Sequence, residues 1–219
     1  MPGLHGSTAL YADFVSLAPS WARCRPVALP TLGEQSFDGL ADALEPELRG
    51  LEGFVLVGES FSGPIAARLA ERLSPKVALL VLLNPLVEMP FRLPAGLAAS
   101  VTASRWASSW GAAALLAGGD RALGGDALRE VRLLPNDTLR DRLSAVFSAT
   151  ADELSRHLVA PLLGILGTRD RLVSAARTRA LLKSVPFGTV VELDGPHLIA
   201  QTKPAEVWDA ISHEFESAP

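Results

Sequence analysis

Residues 54–63 read Phe-Val-Leu-Val-Gly-Glu-Ser-Phe-Ser-Gly, and this stretch decides the fold. A short apolar run rich in valine leads into small residues, and residues 64–70 follow with helical spacing. The pattern predicts a strand, a sharp turn and a helix. A serine at such a turn exposes its hydroxyl above the strand end, and small neighbours let the helix start close to the strand. We therefore expect Ser60 at the apex of a strand-turn-helix unit.

The spacing around Ser60 fits the pattern G-x-S-x-G with one departure. Ser62 takes the last position of the pattern, and Gly63 follows one residue later. Serine is small enough to keep the turn plausible. The same five residues could also form a plain structural turn between a strand and a helix. Features elsewhere in the chain are needed to distinguish this from a turn that presents a reactive serine.

Apolar runs alternate with helical patterns on either side of this unit. Residues 77–83 form an uninterrupted apolar run, which is typical of a parallel strand covered on both faces. Further strands are predicted at 25–30, 161–167 and 189–193, and helices at 36–51, 175–183 and 204–215. Ser36 is the expected N-cap of the first of these helices. The alternation predicts an α/β fold with a mainly parallel sheet flanked by helices.

The middle of the chain differs from the rest in composition and pattern. From residue 84 to about 159, prolines, glycines and alanines are frequent and no buried strand is evident. Helices are predicted at 95–110, 126–134 and 138–147, with a further helix start at 148–157. We interpret residues 85–159 as a small helical lid inserted into a single domain that spans residues 1–219.

Composition narrows the class of protein. The chain has 219 residues, 48% of them hydrophobic, which is ordinary for one globular domain with a sizeable core. A net charge of -4 gives no basic footprint, so nucleic acid is not an expected partner. No apolar run is long enough to span a bilayer, and residues 1–5 lack the features of a secretory signal. The single cysteine, Cys24, cannot form an internal disulfide, which fits a reducing compartment. We therefore expect a cytoplasmic protein.

Three chemically matched residues follow predicted strands. Ser60, Asp170 and His197 occur in that order, each just after a strand. Because the carboxyl ends of parallel strands meet at one edge of the sheet, we expect the three side chains to gather there. Serine needs an adjacent base to act as a nucleophile, histidine accepts a proton near neutral pH, and an aspartate orients and stabilises the imidazole.

The motifs around these residues resemble those of the α/β-hydrolase superfamily over essentially the whole chain. Residues 58–63 resemble its nucleophile elbow, residues 167–173 its acid-bearing G-x-x-D-x-x-V turn, and residues 195–206 its G-x-H…P-x-x-[ED] ending. The resemblance implies an α/β-hydrolase fold with a sheet of about six strands. The two leading strands of the family and most of its third strand are not expected before His5-Gly6, which resembles the family's H-G turn. By position, the resemblance assigns the oxyanion N–H groups to Ser7 and Phe61.

Other residues compete for some of these roles. Glu88 and Asp194 are rival acids for the place of Asp170, while His5 is expected to be structural. Trp106 and Trp110, four residues apart in the lid, are either lid packing or contacts to an apolar substrate.

The resemblance and the order of the three residues together predict a serine hydrolase of the carboxylesterase type that cleaves short to medium acyl esters. An acyltransferase or a C–C-bond hydrolase on the same three residues is an alternative, and so is a non-catalytic binding protein with this fold. No metal site and no cofactor are expected, since the sequence has no His/Cys cluster and no H-E-x-x-H motif. The expected partner is a small ester, with neither nucleic acid nor a membrane.

Overall fold

The structure is a computed structural model that describes residues 1–88, 109–159, 161–186 and 188–217. Its four strands are β1 Phe54–Glu59, β2 Val77–Leu83, β3 Leu162–Gly167 and β4 Gly188–Leu193. Up to β2, the α-helices are α1 Ala12–Ser16, α2 Phe37–Leu48 and α3 Ser62–Arg72, with a 3-10 turn at Ala9–Tyr11. Between β2 and β3 lie α4 Ser109–Leu116, α5 Arg121–Arg132, α6 Asn136–Ser148 and α7 Ala151–Ser155. The last three are α8 Ala175–Leu182, α9 Ile199–Thr202 and α10 Pro204–Ser217.

All four strands are parallel and lie in the order β1-β2-β3-β4. The predicted α/β class and parallel sheet are thus confirmed, but the described residues hold four strands rather than about six. The predicted strand at 25–30 is wrong, because these residues form no ladder and only the Leu29 N–H is bonded, to the carbonyl of Gly6 at 2.9 Å. Pro26 and Pro30 lack the N–H groups that a ladder needs.

Helices cover both faces of the sheet. Side chains alternate along each strand, so each strand contributes to two separate cores. One core contains Leu80 and Leu82 of β2 and packs under α2 and α3, and the other contains Leu79 and Val81 and packs under α1, α9 and α10. Helix α3 is buried from Ser62 to Ala70, which holds the turn before it against the core while Ser60 itself stays partly exposed.

The outer edge of β1 is largely open in the part of the chain that the structure describes. Within the described residues, Met1 alone pairs with it: its amino group donates to the Val57 carbonyl at 2.8 Å, and its carbonyl accepts from the Glu59 N–H at 3.2 Å. Beyond Met1, an apolar cavity of about 400 Å³ lies along this edge, with Trp21 and Trp208 among its lining residues. In the described residues, no helix is long and apolar enough to cross a membrane.

The segment between β2 and β3 is helical in its described part. The predicted helix at 126–134 begins earlier, at Arg121, because the Asp120 side chain accepts from the N–H groups of Ala122 and Leu123. Small residues let α4 and α5 pack closely, since a Cβ on Gly124 would lie 2.5 Å from the backbone of Ala113. The predicted helices at 138–147 and 148–157 correspond to α6 and α7. The predicted helix at 95–110 falls mostly outside the described residues.

Candidate active site

Ser60 occupies a strained turn between β1 and α3. Its φ is +53°, in the left-handed region that a residue with a side chain rarely adopts. Its N–H donates to the Leu83 carbonyl at 2.9 Å, which holds this strained residue against the end of β2. The side chain is thereby directed above the carboxyl ends of the strands, as the sequence predicts for an elbow.

Small residues around Ser60 are required by close contacts. A Cβ on Gly58 would lie 2.7 Å from both the Ala66 Cβ and the Ser62 carbonyl oxygen, and one on Gly63 would lie 2.6 Å from the Pro85 Cβ. Ser62, the departure from the sequence pattern, has room for its side chain. Its buried hydroxyl donates to the carbonyl of Pro2, so it fastens the first residues of the chain to the elbow.

The three residues that the sequence singled out lie in one hydrogen-bonded chain. The His197 Nε2 lies 2.8 Å from the Ser60 Oγ, and the Nδ1 lies 2.7 Å from the Asp170 Oδ2. The other carboxylate oxygen of Asp170 accepts from the N–H groups of Leu172 at 2.7 Å and Val173 at 3.1 Å. The side chains of His197 and Asp170 are each 2% exposed. A buried carboxylate that is fixed in this way can orient the imidazole, and the imidazole can accept the serine proton.

The two rival acids have partners of their own. Glu88 pairs with Arg177, and Asp194 pairs with Arg169 at 2.7 Å. The Asp194 side chain is 79% exposed. Asp170 is therefore the carboxylate that the fold brings to His197.

Asn84, which the sequence analysis did not single out, holds the turns of the acid and the histidine together. It follows β2 with φ at +40° and is 2% exposed. Its amide donates to the carbonyls of Pro196 at 3.1 Å and His197 at 2.8 Å, and its side-chain oxygen accepts from the Gly167 N–H at 2.7 Å. A polar residue directly after a buried strand is the signal that would have identified it.

Glu59 connects the elbow to the segment that follows His197. It is 1% exposed, and its carboxylate accepts from the Tyr11 hydroxyl, from the Gln201 side chain at 3.1 Å and from the Ala200 N–H at 3.4 Å. Burial, followed by the neighbouring Glu59 charge, raises the pKa of Tyr11 well above its ordinary value. Tyr11 therefore remains a hydrogen-bond donor at any ordinary pH.

The two predicted oxyanion donors differ in their surroundings. Phe61 follows Ser60 directly, and within the described part of the chain its N–H has no hydrogen-bond partner. The Ser7 N–H, in contrast, donates to the Nδ1 of His5 at 3.1 Å. Gly3 lies beside the nucleophile position, since a Cβ on it would be 3.6 Å from the Ser60 Cβ.

The helices before β3 contact the histidine turn. The Leu198 N–H donates to the Leu116 carbonyl at 2.8 Å, and a Cβ on Gly118 would lie 3.3 Å from the Pro196 ring. Trp106 lies outside the described residues, and the side chain of Trp110 is likewise not described. Across the described ranges, no group of three or more His, Cys, Asp or Glu side chains is placed to hold a metal ion.

A sequence profile of the Alpha/beta hydrolase family matches residues 3–210. No curated protein sequence matches the chain. A lipase-esterase related protein from Clostridium acetobutylicum is similar in structure, with a TM-score of 0.75 at 14% identity over 96% of this chain and 90% of its own. The enol-lactonase from Burkholderia xenovorans gives 0.72 at 14% identity over 98% and 89%. The N-formylmaleamic acid deformylase from Pseudomonas putida gives 0.74 at 15% identity over 96% and 89%. At these identities the likeness shows the fold alone.

Proposed function

Because the chain belongs to the alpha/beta hydrolase family, we propose that it is a serine hydrolase that cleaves carboxylic esters with short to medium acyl groups. The observation that carries the proposal is the chain of contacts from the Asp170 carboxylate through His197 to the Ser60 hydroxyl, at 2.7 and 2.8 Å. Family membership supports hydrolysis in general, and the serine chemistry and the choice of ester are the parts that we propose.

In the proposed reaction, the Ser60 oxygen attacks the acyl carbon while the His197 Nε2 takes the hydroxyl proton. The electron pair of the carbonyl bond moves to its oxygen. When the tetrahedral species collapses, the bond to the alcohol breaks, and His197 returns the proton to the leaving oxygen. Water, deprotonated by His197 in turn, attacks the acyl carbon of the acyl-enzyme. The bond to the Ser60 oxygen then breaks, His197 returns the proton to that oxygen, and the carboxylic acid leaves. Asp170 keeps its negative charge throughout and stabilises the imidazolium.

We assign the oxyanion to the N–H groups of Phe61 and Leu4, which replaces the assignment to Ser7. The Ser7 N–H is already bonded to His5, whereas the Leu4 N–H has no partner among the described residues. The carbonyl of Gly3 accepts from the Gly6 N–H at 2.9 Å, and the N–H of a trans peptide points away from its carbonyl. The Leu4 N–H therefore points away from Gly6 within a loop that lies beside Ser60.

An apolar acyl site is the second part of the proposal. The helices before β3 bury small apolar side chains next to the histidine turn, with Ala117, Ala127 and Leu198 in one cluster. Each methylene buried there would contribute about 0.8 kcal/mol at best, so turnover should rise from acetate towards medium acyl chains until the site is filled. The roles of Trp106 and Trp110 as substrate contacts stay predictions of the same kind.

Labelling with a fluorophosphonate probe, followed by p-nitrophenyl esters of graded chain length, tests the proposal. The parent protein should be labelled at Ser60, and Ser60→Ala should lose labelling and roughly three or more orders of magnitude of ester turnover. Ser62→Ala is the matched control, which removes a hydroxyl two residues away and should stay within about tenfold of the parent. A parent protein that neither reacts with the probe nor hydrolyses any ester would contradict the proposal. Transfer of the acyl group to an added alcohol in preference to water would identify an acyltransferase.

A further inference from the structure

Arg142 is a fully buried cation that reaches from α6 to the loop beside Ser60. Its side chain is 0% exposed. The guanidinium makes three hydrogen bonds, from Nη1 to the Leu4 carbonyl at 2.9 Å, from Nη2 to the Pro30 carbonyl at 2.8 Å and from Nε to the Gln35 side-chain oxygen at 2.9 Å. The planar group thus fixes three loop positions at once, which a lysine ammonium could not do in the same geometry.

All three acceptors are neutral. Among the described residues, no carboxylate forms an ion pair with Arg142, so its charge is buried without an opposite charge beside it. Burial lowers its pKa to about 10, which leaves the guanidinium charged at neutral pH. Arg68 offers a comparison within the same chain, since it is 1% exposed but pairs with Asp38 at 3.0 Å.

The uncompensated charge lies next to both residues whose N–H groups we assign to the oxyanion, at the Phe61 ring and at the Leu4 carbonyl. Its central carbon is 5.9 Å from the centre of the Phe61 ring, and Phe61 follows the nucleophile. On the other side, the loop from Leu4 to Gly6 rests directly on the guanidinium. A Cβ on Gly6 would lie 2.4 Å from the Nη1, and Gly6 has a φ of +71°. The loop can lie this close to the cation because that position carries no side chain.

We propose that Arg142 is a positioning residue for the oxyanion site: it holds the Leu4 segment in place, and its uncompensated charge favours the negative charge that develops on the substrate oxygen. This role rests on the serine hydrolase function proposed above. A preorganised cation in a water-excluded region acts strongly on a charge that appears nearby, and it needs no rearrangement during the reaction. A carboxylate partner like that of Arg68 would cancel this effect.

The test compares Arg142→Met with Arg142→Lys, since methionine and lysine are similar in length and differ in charge. The matched control is Thr138→Val on the same helix, because the Thr138 hydroxyl donates to the Thr31 carbonyl at 2.8 Å, away from Leu4. The measurements are kcat and KM for one short ester, the rate of fluorophosphonate labelling, and the inhibition constant of an alkylboronic acid, which mimics the tetrahedral species.

For Arg142→Met we expect kcat and the labelling rate to fall roughly a hundredfold and boronic acid binding to weaken in parallel, with KM within about twofold. Arg142→Lys should lie between Arg142→Met and the parent, because it keeps the charge and loses the planar contacts. If the methionine variant does not fold, the lysine variant decides by itself, with an expected loss of about tenfold. Thr138→Val should keep the parent kcat even where its unfolding temperature drops.

Three results would overturn the role. If the Arg142 variants are labelled at the parent rate, the positioning role of Arg142 is contradicted and the proposed hydrolase function is unaffected. Arg142 would be merely structural if Thr138→Val, at an equal loss of unfolding temperature, lost as much kcat as the Arg142 variants. A parent protein that is not labelled at all would contradict the hydrolase function, and the role of Arg142 would fall with it.

Discussion

His5 makes the stability of the protein depend on pH in a way that can be calculated. It is 6% exposed, and its Nδ1 accepts from the Ser7 N–H, which places the ring proton on the Nε2. Within the described residues, that Nε2 is buried without a partner. Burial is the largest cause that lowers the pKa of His5, to about 4; the Glu130 charge opposes it, and the Arg142 charge acts in the same direction as burial. The folded protein therefore keeps His5 neutral well into the acidic range.

Since the pKa is lower in the folded state, the unfolded chain binds the proton first. The free energy of unfolding then falls as the pH drops from 6.5 towards 4, and His5 has no such effect above pH 6.5. The whole separation of the two pKa values corresponds to about 3 kcal/mol, of which about 2 kcal/mol is lost by pH 5. Protonation would also remove the acceptor of the Ser7 N–H, so the loop at Ser60 should loosen with it.

Urea unfolding at about pH 7 and about pH 5 measures this effect in the parent and in His5→Asn, which stays neutral throughout. The parent should lose about 2 kcal/mol more between the two conditions than the variant, because other titrating groups contribute equally to both proteins. His5→Gln should repeat the result with a different side-chain length. Equal losses in the parent and in both variants would refute the reasoning, whatever their absolute stabilities.

Three further predictions concern the elbow and its neighbours. Asp170→Asn should lower kcat by roughly a thousandfold because the imidazole loses its orienting carboxylate, while Asp194→Asn should stay within about twofold in the same ester assay; the reverse order would move the acid to Asp194. Gly63→Ala should lower the free energy of unfolding by about 1–3 kcal/mol in urea titrations, since its Cβ would lie 2.6 Å from that of Pro85; unchanged stability would show that the elbow tolerates a methyl group. Glu59→Gln should lower kcat by roughly tenfold in steady-state assays because the charge on the shared acceptor is lost, and full activity would make that carboxylate dispensable.

Local patterns predicted most of the fold. The apolar run and small residues at 54–63 correctly predict β1 and the start of α3, because a buried parallel strand and a close helix packing both depend on nearby residues. Ser36 caps α2 as predicted, since its hydroxyl accepts from the Gly39 N–H at 3.0 Å. The strand predicted at 25–30 failed because an apolar composition says nothing about whether a partner strand lies alongside.

The candidate site was predictable only where its residues follow strands. Asp170 and His197 could be placed at one sheet edge because parallel strands end together there. Arg142 could not be identified, since an arginine within a polar helix usually faces solvent and its burial depends on loops more than a hundred residues away. The oxyanion donor at Ser7 was wrongly expected for a local reason, because the imidazole of His5, two residues earlier, takes the Ser7 N–H and the motif does not reveal that side-chain orientation.

The open edge of β1 gives this strand two ends of unequal local stability. Odd-numbered amides face the edge, so the N–H groups of Val55 and Val57 lie on the open side, while that of Glu59 is bonded to Met1. A stretch of strand whose edge N–H groups are unbonded opens at a lower free energy cost than one that is bonded on both sides. The protection of the β1 amides from hydrogen exchange should therefore rise from Phe54 towards Ser60. On warming, the strand should therefore fray from its amino end, and its carboxyl end, next to the turn that carries Ser60, should loosen last.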